Sequence, residues 1–331
     1  MRVRTRIGTL IAALPMVAAT LATPATAAPR ADFKWVALGD AYTAGLIDAT
    51  GPEVIEGTGR DGCGRTAGSY PEVLRPRFAD RFELVNVSCA GATVANVMSE
   101  WQEPQGRNLP FFGVFDPDHP FGAVPPQIEA VTEDVDLVTV GVGGNTLGFI
   151  EFMYACVVIG QWAAPNEDAP CSQHFTTGWD GVPTVDDRLS ALGEEYGEML
   201  RTIRAMAPTA TVIAVGYPAI IPLDPRGCDH GLTPEGIRDF ATVTYPDLAW
   251  LRTDVLQRLN QLIADQAALN GSLYVDVQAI TEGHDVCQPE SRRWVEGIAD
   301  SVGRWSLVRP NAAAHAAVAD VIEALLLAGE S

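Results

Sequence analysis

The apolar positions of the chain alternate between two periods. Five short runs are Val-rich and nearly continuous: Trp35–Gly39 (WVALG), Phe82–Val87 (FELVNV), Val135–Val142 (VDLVTVGV), Ala210–Gly216 (ATVIAVG) and Leu273–Val277 (LYVDV). That is the pattern of parallel strands covered on both faces. Between them the period becomes helical. Val185, Leu189, Leu192, Tyr196, Met199, Leu200, Ile203 and Met206 recur at three- and four-residue spacing. Thr184 and Asp187 form an approximate capping box ahead of this stretch, and Pro208 follows it. Leu248–Leu269 repeats the pattern and stops at Asn270-Gly271; Ala312–Leu327, opened by Pro310-Asn311, predicts the last helix. Strands alternating with helices, without a Gly/Ser-rich linker or an internal repeat, predict an α/β fold. The expected architecture is a three-layer α/β/α sandwich around a central, mostly parallel five-stranded sheet, in one domain over 28–331. Stretches near 48–68, 100–124, 161–182 and 218–245 are too long for plain connections, and such loops usually form the rim of a ligand site.

The segment before the first strand reads differently. Arg2, Arg4 and Arg6 precede an apolar run from Ile7 to Leu21, and Ala25-Thr26-Ala27 is a small-x-small cleavage site. Residues 1–27 therefore read as a secretory signal peptide, and the protein is expected to be secreted and extracellular. No later stretch is long and apolar enough for a membrane span. Export bears on Cys63, Cys89, Cys156, Cys171, Cys228 and Cys287: an even count in an oxidising compartment predicts disulfides. Sequential pairing (Cys63–Cys89, Cys156–Cys171, Cys228–Cys287) fits the order of elements best. No cysteine or histidine spacing suggests a metal, and no cofactor is expected. The net charge of −20 offers no basic footprint, so nucleic acid is excluded as a partner. A monomer is expected.

The informative segment follows the first strand: Gly39-Asp40-Ala41-Tyr42-Thr43-Ala44-Gly45. It resembles the G-D-S-Y-[ST]-A-G block of the SGNH (GDSL) hydrolases, in particular the secreted actinobacterial esterases, lipases and phospholipases. Further blocks follow in that family's order. Ser88-Cys89-Ala90-Gly91-Ala92-Thr93 is similar to the segment whose glycine N–H donates to the oxyanion. Gly143-Gly144-Asn145-Thr146-Leu147-Gly148-Phe149 is similar to the segment whose Asn is a second donor, with Thr146 where relatives have Asp. Gly216-Tyr217-Pro218, Gly283-His284-Asp285-Val286-Cys287 with Trp294, and Pro310-Asn311-Ala312-Ala313-Ala314-His315 complete the series. The resemblance runs from about 33 to 328 and implies an SGNH-hydrolase or flavodoxin-like fold. It places Ala41 at the nucleophile position, Arg309 at the histidine position, Ser306 at the acid position, and Gly91 and Asn145 in the oxyanion hole.

The chemistry of these side chains stands apart from the resemblance. Acyl transfer by this route needs a hydroxyl or thiol, a base that takes its proton, and N–H donors aimed at the developing oxyanion. The Ala41 methyl cannot attack, and Arg309 carries no lone pair to accept a proton. Asp40 is expected to anchor its loop on backbone N–H groups. His315 lies six residues after Arg309, inside the last helix, and is expected to pack. His284 and Asp285 sit in a cysteine-anchored loop and are expected to be structural. Three functions remain open: a pseudo-hydrolase retaining an acyl- or ester-binding cleft; an active ester hydrolase with an unrecognised nucleophile, or with Ala41 as an engineered knockout of serine; and altered chemistry, such as a transferase or lyase. The expected partner is a small-molecule ester, lipid or acylated glycan.

Overall fold

In the computed structural model, residues 33–55, 59–78, 82–178 and 181–329 are described, so the signal-peptide segment 1–27 lies outside the described residues. Strands β1 (Phe33–Gly39), β2 (Phe82–Asn86), β3 (Leu137–Gly141), β4 (Thr211–Val215) and β5 (Leu273–Val275) form one sheet in the order β2-β1-β3-β4-β5. Every pairing is parallel, so the sheet is wholly rather than mostly parallel. Strand β1 starts two residues before its apolar run, whereas the other four are one to three residues shorter than theirs, because the ends of those runs turn out of the ladder.

Side-chain alternation divides the sheet between two cores. Val36 and Leu38 of β1, Val138 and Val140 of β3, and Val212 and Ala214 of β4 face one side. Trp35, Ala37, Leu137, Ile213 and Val215 face the other. Both faces are therefore apolar, which explains the continuous runs. Thr139 is the polar exception; its hydroxyl accepts from the Trp35 indole N–H at 3.0 Å.

Helices α1 (Ala41–Ala44), α2 (Tyr70–Leu74), α3 (Val94–Met98), α4 (Gly144–Leu147), α5 (Phe149–Gly160), α6 (Pro170–Thr177), α7 (Val185–Met206), α8 (Pro234–Arg238), α9 (Tyr245–Trp250), α10 (Gln257–Leu269), α11 (Val277–Thr281) and α12 (Ala312–Gly329) cover the two faces. The α7 cap is a full capping box: the Thr184 hydroxyl accepts from the Asp187 N–H at 3.1 Å, and the Asp187 carboxylate accepts from the Thr184 N–H at 3.0 Å. The stretch expected as one helix over Leu248–Leu269 begins earlier, at Tyr245, and passes through a π-helical turn at Leu251–Leu256. The irregular stretch at 161–182 contains α6, and that at 218–245 contains α8. Helix α5 has no clear periodic signal, because its sequence FIEFMYACVVIG is apolar on nearly all sides.

The three disulfides join the sequential pairs. Cys63–Cys89 fastens the loop after α1 to the segment after β2, Cys156–Cys171 joins α5 to α6, and Cys228–Cys287 joins the loop after β4 to that after α11. No described cysteine is free. No helix among the described residues is long and apolar enough to cross a membrane.

His315 packs within the α12–α2 contact. It is 2% exposed, and its Nδ1 accepts from the Tyr70 backbone N–H at 3.2 Å. Its Nε2 has no partner among the described residues. Burial pushes its pKa down to about 4 from 6.5. The native state therefore holds the ring neutral where the unfolded chain would protonate it. The resulting stability is present above the unfolded value and is lost as pH falls toward 4. His315→Leu removes this proton linkage at a constant offset for the lost Tyr70 bond. Chemical denaturation at pH 7 and pH 4 should show the stability of the variant, relative to the parent, improving by roughly 3 kcal/mol at the lower pH. An unchanged difference would mean that the ring is not held neutral.

Candidate functional site

The sheet order reverses at β1, between β2 and β3, so a crevice opens at the carboxyl ends of β1 and β3. The chain exits β1 through Gly39, whose φ of +153° and surroundings require glycine. A Cβ there would stand 2.3 Å from the Thr43 hydroxyl and 2.6 Å from the Gly141 carbonyl. The Gln127 carboxamide holds this exit on both sides, accepting from the Gly39 N–H at 2.7 Å and donating to the Gly39 carbonyl at 2.9 Å.

Asp40, the next residue, is buried and caps α1. Its Oδ1 accepts from the Tyr42 N–H at 2.8 Å, and its Oδ2 accepts from the Tyr217 hydroxyl at 2.6 Å. That hydroxyl in turn accepts from the Gly144 N–H at 2.8 Å. One carboxylate thus links the ends of β1, β3 and β4. Burial raises its pKa from 3.8 to about 6, opposed by the Tyr217 and Tyr42 hydrogen bonds and by the charge of Arg309.

Ala41 opens α1 and is 5% exposed. The other hydroxyls of this turn are committed. Thr43 is buried, with its hydroxyl 3.4 Å from the Gly141 carbonyl. The Tyr42 hydroxyl donates to the Val308 carbonyl at 2.8 Å and so fastens the segment 306–309 against α1. Leu307 and Val308 hold left-handed φ values of 51° and 54°, an arrangement costly for a β-branched residue. They lead directly into Arg309.

A cavity of about 590 Å³ lies alongside and brings together Gly91, Asn145, Ser306 and Arg309; Ala41 is not on its surface. Gly91 has φ +85°, and its N–H has no partner among the described residues. Asn145 spends one carboxamide N–H on the Ala92 carbonyl at 3.0 Å, which leaves the second. Thr146 accepts from the Val94 N–H at 2.9 Å and supports the start of α3. The Ser306 hydroxyl lies 3.4 Å from the Arg304 carbonyl. Arg309 is partly buried. Burial lowers its pKa, opposed by Tyr42 and Asp40, and a guanidinium stays charged under such a shift.

Sequence reasoning missed the other polar walls. Asp48 binds both Arg107 and Arg304, and Asp300 binds Arg304 at 2.7 Å. Trp305 stacks on Phe112 with ring centroids 4.2 Å apart. Apart from Asp300 and Arg304, which are four residues apart, these pairs join residues distant in the chain, and only the loop lengths hinted at them. His284 and Asp285 form no dyad: the ring lies 3.8 Å over Trp294 with Nδ1 against the Arg292 carbonyl, while Asp285 accepts from the Cys287 N–H. The only group of metal-ligating type among the described residues combines Asp239 with the disulfide-bonded Cys228 and Cys287, whose sulfurs are not free to ligate.

Residues 37–317 match the model of the GDSL-like lipase/acylhydrolase family. An esterase of Streptomyces scabiei is 30% identical over 81% of this chain and 76% of its own length. Lipase 2 of Streptomyces coelicolor is 31% identical over 88% and 84% respectively. Among solved structures, phospholipase A1 of Streptomyces albidoflavus has a TM-score of 0.62 at 21% identity, covering 89% of this chain and 99% of that one. The extracellular lipase of Streptomyces rimosus has a TM-score of 0.59 at 19% identity over 88% and 99%. These two structures share its fold. The family match spans most of the chain and takes in both the Asp40 turn and the segment leading to Arg309, and the chain belongs to the GDSL-like lipase/acylhydrolase family.

Proposed function

We propose that this protein is a secreted pseudo-hydrolase, which binds an acyl or ester ligand in its inherited cleft without hydrolysing it. The carrying observation is the chemistry of the cavity wall. Among its described lining residues there is no histidine, cysteine, lysine, threonine or tyrosine, and the single hydroxyl is that of Ser306. Ser306 has only backbone neighbours: its N–H donates to the Ile298 carbonyl at 3.0 Å, and its hydroxyl lies near the Arg304 carbonyl. The lining carboxylates, Asp48 and Asp300, are both held by arginines, and against its burial the bonds from Arg304 help to lower the pKa of Asp300. The oxyanion donors at Gly91 and Asn145 survive without a nucleophile to use them. Export is supported by the leader pattern at 1–27, by the three disulfides, and by the relative described as an extracellular lipase.

The chain from residue 28 should leave short p-nitrophenyl acyl esters at the rate of a denatured-protein control, and it should take up no fluorophosphonate probe. Intact-mass analysis reads the second result directly. Stoichiometric labelling at any residue would overturn the reading and locate the missed nucleophile.

Serine and base act as one unit, and losing either costs ~10⁶ in kcat, about as much as losing both. Ala41→Ser alone should therefore stay at background, because Arg309 takes no proton. Arg309→His alone has nothing to activate. The double variant should gain ~10²-fold or more in ester turnover if the donors at Gly91 and Asn145 remain aimed at one point. Full activity from Ala41→Ser alone would reveal a base elsewhere.

A further inference from the structure

Three arginines line the cavity, and they differ in what they meet. Arg107 and Arg304 both pair with Asp48, and Arg304 also pairs with Asp300. The Arg309 guanidinium makes no hydrogen bond or ion pair with any described residue; Asp40 and Tyr42 act on it only through space. A partly buried cation without a counter-ion is costly to hold, and a native fold that keeps one calls for an explanation. The same cavity offers two further donors without a partner among the described residues: the Gly91 N–H and the second Asn145 N–H. The lining thus carries free donors and one positive charge without a counter-ion among the described residues. Leu46, Ile47, Leu109, Val114, Ile150 and Leu307 give the cavity an apolar share of its wall.

We propose that the cavity binds the carboxylate of an apolar-tailed monocarboxylic acid, with Arg309 as counter-ion and Gly91 and Asn145 as further donors. This deepens the reading above and rests on it, since the ligand is the acid and not an ester awaiting cleavage. An ester carbonyl would leave Arg309 unpaired. A carboxylate satisfies its fork with two oxygens and cancels its single charge. A phosphate dianion would bring a second negative charge that no free cation in the cavity meets, near the buried Asp40 carboxylate. The apolar walls match an acyl tail.

Isothermal titration of the chain from residue 28 with decanoate, methyl decanoate and decyl phosphate tests this. Decanoate should bind most tightly, and Arg309→Gln should weaken it ~10-fold or more while leaving methyl decanoate unchanged. Arg309→Lys, which keeps the charge but not the fork, should fall between parent and glutamine variant. Asn145→Asp, which sets a carboxylate against the ligand, should abolish decanoate binding whether or not Arg309→Gln folds. The proposal is overturned if methyl decanoate matches decanoate in the parent, if decyl phosphate binds tighter, or if both Arg309→Gln and Asn145→Asp bind decanoate as the parent does. Ester turnover is read separately. Hydrolysis with intact decanoate selectivity would remove the pseudo-hydrolase reading alone, and loss of selectivity without hydrolysis would remove this one alone.

Discussion

The buried Asp40 carboxylate is the interaction on which the rest of the site depends. A carboxylate is expensive to bury unless its oxygens are matched, and here each oxygen has a donor: the Tyr42 N–H on one and the Tyr217 hydroxyl on the other. Tyr217 passes the connection to the Gly144 N–H, so the turn carrying Ala41 is tied to the turn carrying Asn145. The Gly39–Gln127 pair closes the same node from the other side. Three strands therefore end at fixed positions relative to one another, and the crevice between them is pre-formed rather than assembled by a ligand.

The apolar period located all five strands and the capping box of α7, because those signals are local and strong. Helix α5 escaped, since a sequence apolar on nearly all sides has no period to display, although only one side of it is buried. The π-helical turn at Leu251–Leu256 likewise leaves no mark on a count of apolar positions. At the site, the ordered blocks named Gly91, Asn145, Ser306 and Arg309, which the structure brings around one cavity, and Ala41, which is not on its surface. They said nothing of Asp48 neutralising Arg107 and Arg304. Charge pairing across loops depends on where the loops lie, and −20 overall gives no hint of which arginine goes unpaired. The role of Tyr217, named only as part of a matching block, was hidden for the same reason: its partner Asp40 is 177 residues away.

Arg309 is more than the absence of a base. Its field helps to keep Asp40 ionised, because burial alone would drive that carboxyl still higher than about 6. Yet the two do not form an ion pair among the described contacts. Direct pairing would draw Asp40 away from Tyr42 and Tyr217 and loosen the node that fixes the crevice. The backbone prevents it. Leu307 and Val308, in left-handed conformations and clamped by the Tyr42 hydroxyl, deliver Arg309 to the cavity wall. Such conformations cost ~1–3 kcal/mol each and persist only where the surroundings enforce them. The segment thus sets a guanidinium on the wall of the cavity that Gly91 and Asn145 also line. If the cavity takes a carboxylate as proposed, this placement sets a fixed positive charge where its negative charge would lie.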